Sequence, residues 1–209
     1  MKKIFCLALA LLTVALSLVS CGHKAPAHED LDFSEVALDK LTETEEQTNY
    51  VIITVENYGK IAVRLYPEVA PETVKNFKKL VSEKFYDGLI FHRVIEDFMI
   101  QGGGMDKDYV KKDSAAIKGE FTSNDFENNL KHIKGVISMA RTNDKNSASS
   151  QFFIMHKEAS HLDGEYAAFG YTVAGLDVVD AIAKVATNYN DYPKTDVVIT
   201  SIRFAQITG

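Results

Sequence analysis

The chain has 209 residues, 46% of them apolar and 25% charged, ordinary globular proportions that exclude wholesale disorder and collagen-like repeats. Its formal charge of −6, from 23 basic and 29 acidic residues, argues against counterion-driven nucleic-acid binding. The two cysteines, Cys6 and Cys21, both lie near the start of the chain, so a disulfide-stapled scaffold is excluded too.

Lys2 and Lys3 precede an apolar run from Ile4 to Val19, shorter than the roughly 20 residues a membrane span needs. The run fits the core of a secretory signal. It ends in Leu18-Val19-Ser20-Cys21-Gly22, which resembles the lipobox of bacterial lipoproteins. That resemblance implies removal of residues 1–20 as a signal peptide and lipidation of Cys21 as the first mature residue. A second reading takes Ala25-Pro26-Ala27 as a small-x-small cleavage site, releasing a soluble protein from His28. The cysteine placed directly after the apolar run favours the lipobox. In both readings the chain is exported. Because Gly22 rather than aspartate follows the cysteine, a lipidated form points to the outer membrane in a two-membrane cell.

Residues 21–49 hold Lys24 and Lys40 against eight acidic residues. Low hydrophobicity with like charges reads as a lipidated, flexible, solvated tether, with at most a short helix near Ser34–Leu41. Residues 50–209 then form a single domain. A hairpin opens it: Val51–Val55, a turn at Asn57-Tyr58-Gly59, and an alternating strand from Lys60 to Tyr66. Pro71 starts a helix whose Val74, Phe77 and Val81 recur at helical spacing. Short strands are predicted at Phe91–Ile95, Phe98–Gln101, Gly135–Ala140, Gln151–Met155 and Ala168–Val173. A helix over Leu176–Lys184 and a strand over Val197–Gln206 close the chain. Many short strands and only two helices are predicted, a mainly β pattern that argues for a barrel or sandwich.

Three segments carry candidate chemistry: Phe91–Gly103, Ser138–Ile154 and His161–Gly170. On a regular strand Phe91, Arg93 and Ile95 share a face, and an arginine flanked by apolar residues needs a reason. It either snorkels or pairs at the rim of a barrel, or serves a site. Together these segments (F-H-R-V-I-x-x-F-M-I-Q-G-G, S-M-A-R with S-Q-F-F-I, and L-D-G…F-G) resemble the cyclophilin family of peptidyl-prolyl cis-trans isomerases, in order and spacing, across Val51–Ile207.

The resemblance implies an eight-stranded antiparallel β-barrel capped by two helices. It further implies catalysis by Arg93, a proline pocket of Phe98, Met99, Phe153 and Leu162, and peptide-holding groups at Gln101, Ala140, Arg141 and Gln151, with His92 and Tyr166 at the rim. Gln101 is the residue expected to orient the guanidinium. His161 stands where many eukaryotic members have tryptophan, which implies weaker binding of cyclosporin. Arg141 replaces an asparagine, and residues 104–117 match the family poorly. No cofactor or metal is implied. The partners implied are proline-containing polypeptides and, through Cys21, a membrane; the family default is a monomer. A barrel that grips proline segments without turnover is the alternative. A serine hydrolase, a P-loop and a metal site fail on context, since Ser147, Ser149 and Ser150 lack a nucleophile elbow and the histidines are scattered.

Overall fold

The computed structural model describes residues 23–208. The expected signal peptide and Cys21 lie outside the described residues. Among the described residues nine strands form one antiparallel sheet: β1 (Leu41–Thr44), β2 (Tyr50–Val55), β3 (Gly59–Leu65), β4 (Leu89–Ile95), β5 (Met99–Asp106), β6 (Val136–Met139), β7 (Phe152–Met155), β8 (Ala168–Ala174) and β9 (Ile199–Ile207). Two α-helices accompany them, α1 (Pro71–Ser82) and α2 (Leu176–Ala183). The strand order is β1-β9-β2-β3-β8-β6-β7-β5-β4. Gly88 N–H donates to Ile199 O and Phe91 N–H to Val197 O, both at 2.9 Å, bringing β4 back to the start of β9. Strands β2–β9 thus wrap into the expected eight-stranded barrel, with single bonds rather than a full ladder along this seam.

The barrel interior is apolar and aromatic. Val51, Ile53, Ile61 and Val63 from the first hairpin meet Phe91, Ile137, Phe152 and Phe169, all buried. Phe77 of α1 packs against Tyr86, Phe152 and Phe169 with ring centroids 5.2–5.8 Å apart, which closes one end of the barrel. Pro71 sits in the first turn of α1, where its missing N–H costs nothing. Ala70 supplies no cap. Instead the buried carboxylate of Glu120 accepts N–H bonds from Glu72 (3.0 Å) and Thr73 (2.7 Å), satisfying the orphan donors of the helix start from 48 residues away.

The ninth strand corrects the expectation for residues 21–49. Their described part is a strap laid along the barrel rather than a solvated tether. Leu31 is buried, and Phe33 meets Tyr66 and Tyr171 edge-on at 6.2 and 5.0 Å. Arg64 pairs with Asp32, and Tyr66 Oη donates to Asp32 O at 2.6 Å. Val36 N–H donates to Val173 O at 2.9 Å, and β1 pairs with β9 from Leu41↔Ile207 to Thr44↔Phe204. The helix expected near Ser34–Leu41 is a single 3-10 turn at Leu38–Lys40. The physical reason lies in the barrel's outer face, where Ile52, Ala62, Val173 and Ala205 form an apolar patch covered by Leu41 and Val36. Burying such a patch outweighs the solubility of the acidic residues, which face outward.

Candidate active site

The β4–β5 pairing does not keep strict alternation. Phe91 lies opposite Gly102 and Arg93 opposite Gln101, with a register shift between them, so His92 occupies a β-bulge. Phe91 therefore belongs to the barrel core, while Arg93 and Ile95 face the other way; the expectation that all three share a face is corrected. His92 is itself 6% exposed, so it lies beneath the rim rather than on it. Burial holds its pKa below the usual value, and its Nδ1 has no partner among the described residues.

Beyond the bulge the register aligns the candidates in a row. Arg93 of β4 faces Gln101 of β5, and Gln101 faces Phe153 of β7. Arg93, Gln101 and Phe153 line a pocket of about 130 Å³ with Phe98, Met99, Ala140, Arg141, Leu162 and Tyr166. Nine of the twelve residues expected at the domain's site thus converge on one concavity. Met99, Phe153 and Leu162 are nearly buried, and Tyr166 meets Phe153 edge-on at 5.8 Å. His161 stacks on Phe98 at 6.0 Å and stays exposed at the mouth.

Gln151 lies one step away, accepting the Gln101 Nε2–H at 3.0 Å. It lines a neighbouring pocket of about 300 Å³ with Lys111, Asp113, Ser114 and Ser147. Lys111, Asp113, Ser114 and Ala116 thus place part of the 104–117 stretch in the wall of that second pocket.

The Arg93 side chain is 41% exposed and pairs through Nε with Asp191 Oδ2 at 3.3 Å. The expectation that Gln101 orients it is therefore corrected: the Gln101 amide donates to Gln151 rather than meeting the guanidinium, and the partner of Arg93 comes from the loop before β9. Among the described residues no hydrogen bond engages Nη1 or Nη2 of Arg93. Arg141 behaves differently. Its side chain is 11% exposed, with its charged carbon 4.6 Å from the Tyr166 ring centre and 5.0 Å from that of Phe121. Nε and Nη2 donate to Glu165 O at 3.1 and 2.9 Å, and Nη1 to Thr142 O at 2.8 Å. It is a clamp between two loops, with its donors turned to backbone carbonyls.

Sequence reasoning missed Asp191, Phe121 and a cluster behind Phe153. His132 stacks on Phe153 at 6.1 Å, with Nε2 3.1 Å from Ser138 Oγ and Nδ1 3.1 Å from Asp163 Oδ1. The geometry resembles a nucleophilic triad, yet Ser138 has no exposed surface and cannot meet a substrate carbonyl. The cluster instead ties the Leu162 loop to β6 from behind. Burial is the main cause that lowers the His132 pKa, against the raising effect of Asp163. Among the described residues no group of three or more His, Cys, Asp or Glu is arranged to hold a metal.

An apolar ring pocket with a half-exposed arginine at its mouth, on the outside of a barrel, defines a site for an extended peptide bearing a compact apolar side chain. Residues 50–204 match the family described as cyclophilin type peptidyl-prolyl cis-trans isomerase/CLD. The chain is 41% identical over 169 residues to a peptidyl-prolyl cis-trans isomerase of Acinetobacter baylyi, covering 76% of this chain and 87% of that one. It is also 41% identical over 162 residues to peptidyl-prolyl cis-trans isomerase B of Escherichia coli, covering 72% and 96%. A crystal structure of a Cryptosporidium parvum cyclophilin type peptidyl-prolyl cis-trans isomerase, in the presence of the dipeptide Ala-Pro, superposes with a TM-score of 0.65 at 28% identity, covering 75% and 99%. The chain belongs to the cyclophilin-type peptidyl-prolyl cis-trans isomerase family, and its enzyme class is that of an isomerase.

Proposed function

We propose that the chain isomerises prolyl bonds of exported polypeptides in the 130 Å³ pocket, with Arg93 as the catalytic residue, while lipid on Cys21 holds the enzyme at a membrane. The carrying observation is the Arg93 guanidinium beside the Phe98, Met99, Phe153 and Leu162 slot, with Asp191 engaging only its Nε.

Rotation about a prolyl bond faces a barrier of about 18–20 kcal/mol because it destroys amide resonance. Turnover on the order of 10³ s⁻¹ needs a barrier near 13 kcal/mol, so the site supplies about 5–7. No covalent step is needed. The slot takes the pyrrolidine ring out of water, which otherwise stabilises the planar amide. As the bond twists, the nitrogen lone pair localises. The terminal N–H groups of Arg93 then donate to that nitrogen or to the carbonyl oxygen, an interaction stronger in the twisted state than in the planar one. Arginine stays charged and offers a planar fork of donors, which lysine does not reproduce. Gln101, Gln151 and the backbone near Ala140 hold the peptide in extended form.

A protease-coupled assay on a proline peptide tests this reading. Arg93→Ala should lose about 10²–10³-fold in kcat/KM with the thermal midpoint nearly unchanged, since an exposed ion pair contributes at most about 1 kcal/mol. Undiminished activity in the variant would overturn the mechanism. Tight peptide binding with no acceleration by the parent chain would make the domain a binding module instead.

A further inference from the structure

We infer that the face bearing the start of the strap, beside Phe126, Asn129 and Lys131, is the membrane-proximal face of the protein, and that its partner there is a lipid bilayer. This rests on the reading of Cys21 as the lipidated residue. The strap is fixed as far back as its first described residues. His23 stacks on Phe126 with centroids 4.4 Å apart, and Ala25 is 4% exposed. Asn129 Nδ2 donates toward the carbonyls of Ala25 (3.4 Å) and Pro26 (3.3 Å), and Lys131 N–H donates to His28 Nδ1 at 3.3 Å.

Only Gly22 separates Cys21 from His23. Two Cα–Cα steps span about 7 Å. A solvated spacer over residues 21–49 would instead have a root-mean-square reach of about 30 Å and let the domain tumble through all orientations. The strap removes that freedom, so acyl chains on Cys21 would draw the Phe126–Lys131 loop down to the headgroups. Charge does not drive the contact, because the segments that carry Lys24 and Lys131 also carry Glu29, Asp30 and Glu127, and Lys131 pairs with Asp163; the lipid does the holding.

The catalytic pocket borders this face. Ser123 N–H donates to Gly164 O at 2.8 Å and Ser123 Oγ to Glu165 at 2.9 Å, joining the strap-bearing loop to the loop of Leu162 and Tyr166. Phe121, at the start of the same loop, supports Arg141 in the pocket wall. The enzyme would therefore meet proline segments that lie close along the membrane surface.

The full chain, produced in a bacterium that processes lipoproteins and reconstituted in phosphatidylcholine vesicles carrying a headgroup nitroxide, gives the test. A fluorescent amino acid replaces either Glu127 or Glu56. Glu56 follows β2, whose far end pairs Tyr50 with Arg64 next to the strap, about 20 Å away along the strand. Quenching should be stronger at position 127 than at 56. Inserting a Gly-Ser spacer of about twenty residues between Gly22 and His23 should bring the ratio to about one. Equal quenching in the parent chain, with an intact mass showing acylated Cys21, overturns this proposal and leaves the lipid reading standing. An intact mass showing a chain that begins at His28 overturns the lipid reading and this face assignment with it.

Discussion

Replacing Arg141 by alanine removes a clamp whose worth follows from its contacts. The guanidinium lies between two rings at 4.6 and 5.0 Å and donates three hydrogen bonds to the carbonyls of Glu165 and Thr142. A partly desolvated cation–π pair contributes about 1–2 kcal/mol. Charge-assisted bonds to carbonyls contribute about 1.5–3 kcal/mol each when buried, but water reaches the released carbonyls at this half-exposed loop and recovers much of that. The net loss comes to about 3 kcal/mol, which for a domain of this size lowers the thermal midpoint by about 6–12 °C. Because Tyr166 and Leu162 form the pocket wall that the clamp steadies, KM for a proline peptide should rise while kcat falls less. Arg141→Lys should recover little, since an ammonium cannot bridge Glu165 O and Thr142 O as a planar fork does. Differential scanning calorimetry and peptide kinetics read both effects. A midpoint within about 2 °C of the parent, or full rescue by lysine, would refute the clamp.

Phe33→Ala should cost about 1–2 kcal/mol in a denaturant melt, a reduced cavity cost for a half-buried ring lying against Tyr66 and Tyr171; a solvated tether would show no change. A methyl group at position 104 would overlap the Gln151 side chain, so Gly104→Ala should push Gln151 off Gln101 and raise KM severalfold with the fold retained. An unchanged KM would show that Gln151 does not hold the peptide. His92 and His132 are both held below the usual 6.5 by burial, so the unfolded chain takes up protons that the folded chain refuses. Their contribution is full above pH 6.5 and is lost as pH falls toward the lower folded values. Thermal midpoints should decline as pH falls below 6.5; a flat profile would count against buried neutral imidazoles.

Much of the barrel was readable because its strands alternate or run apolar between clear turns, and Pro71 marks a helix start that the fold uses. The site was readable because Arg93, Phe98, Gln101, Phe153 and Leu162 fall in three long segments whose order is preserved. What escaped was set by distant partners. The bulge at His92 leaves no glycine or proline signature, so alternation wrongly placed Phe91 beside Arg93. Asp191 meets Arg93 across 98 residues, and nothing local in an Asn-Asp-Tyr turn announces it. The strap did leave a trace. Val51, Ile52 and Ile53 form an unbroken apolar run in which Ile52 points out of the barrel, and an outward isoleucine requires a cover. The acidic composition of residues 21–49 hid that cover.

The short β1 strand also decides what the barrel shows to other chains. The side of β9 away from β2 is shared: β4 meets its beginning, and β1 occupies Phe204–Ile207. Without β1 that stretch would present unpaired N–H and C=O groups, a template for any extended polypeptide nearby. A peptidyl-prolyl isomerase takes polypeptide as its substrate, so an open edge of this kind would compete with its pocket. By supplying its own last strand, with Glu43 on it and Glu45 and Glu46 just after, the protein covers that stretch and ends its sheet on a short, charged edge, which resists further strand addition.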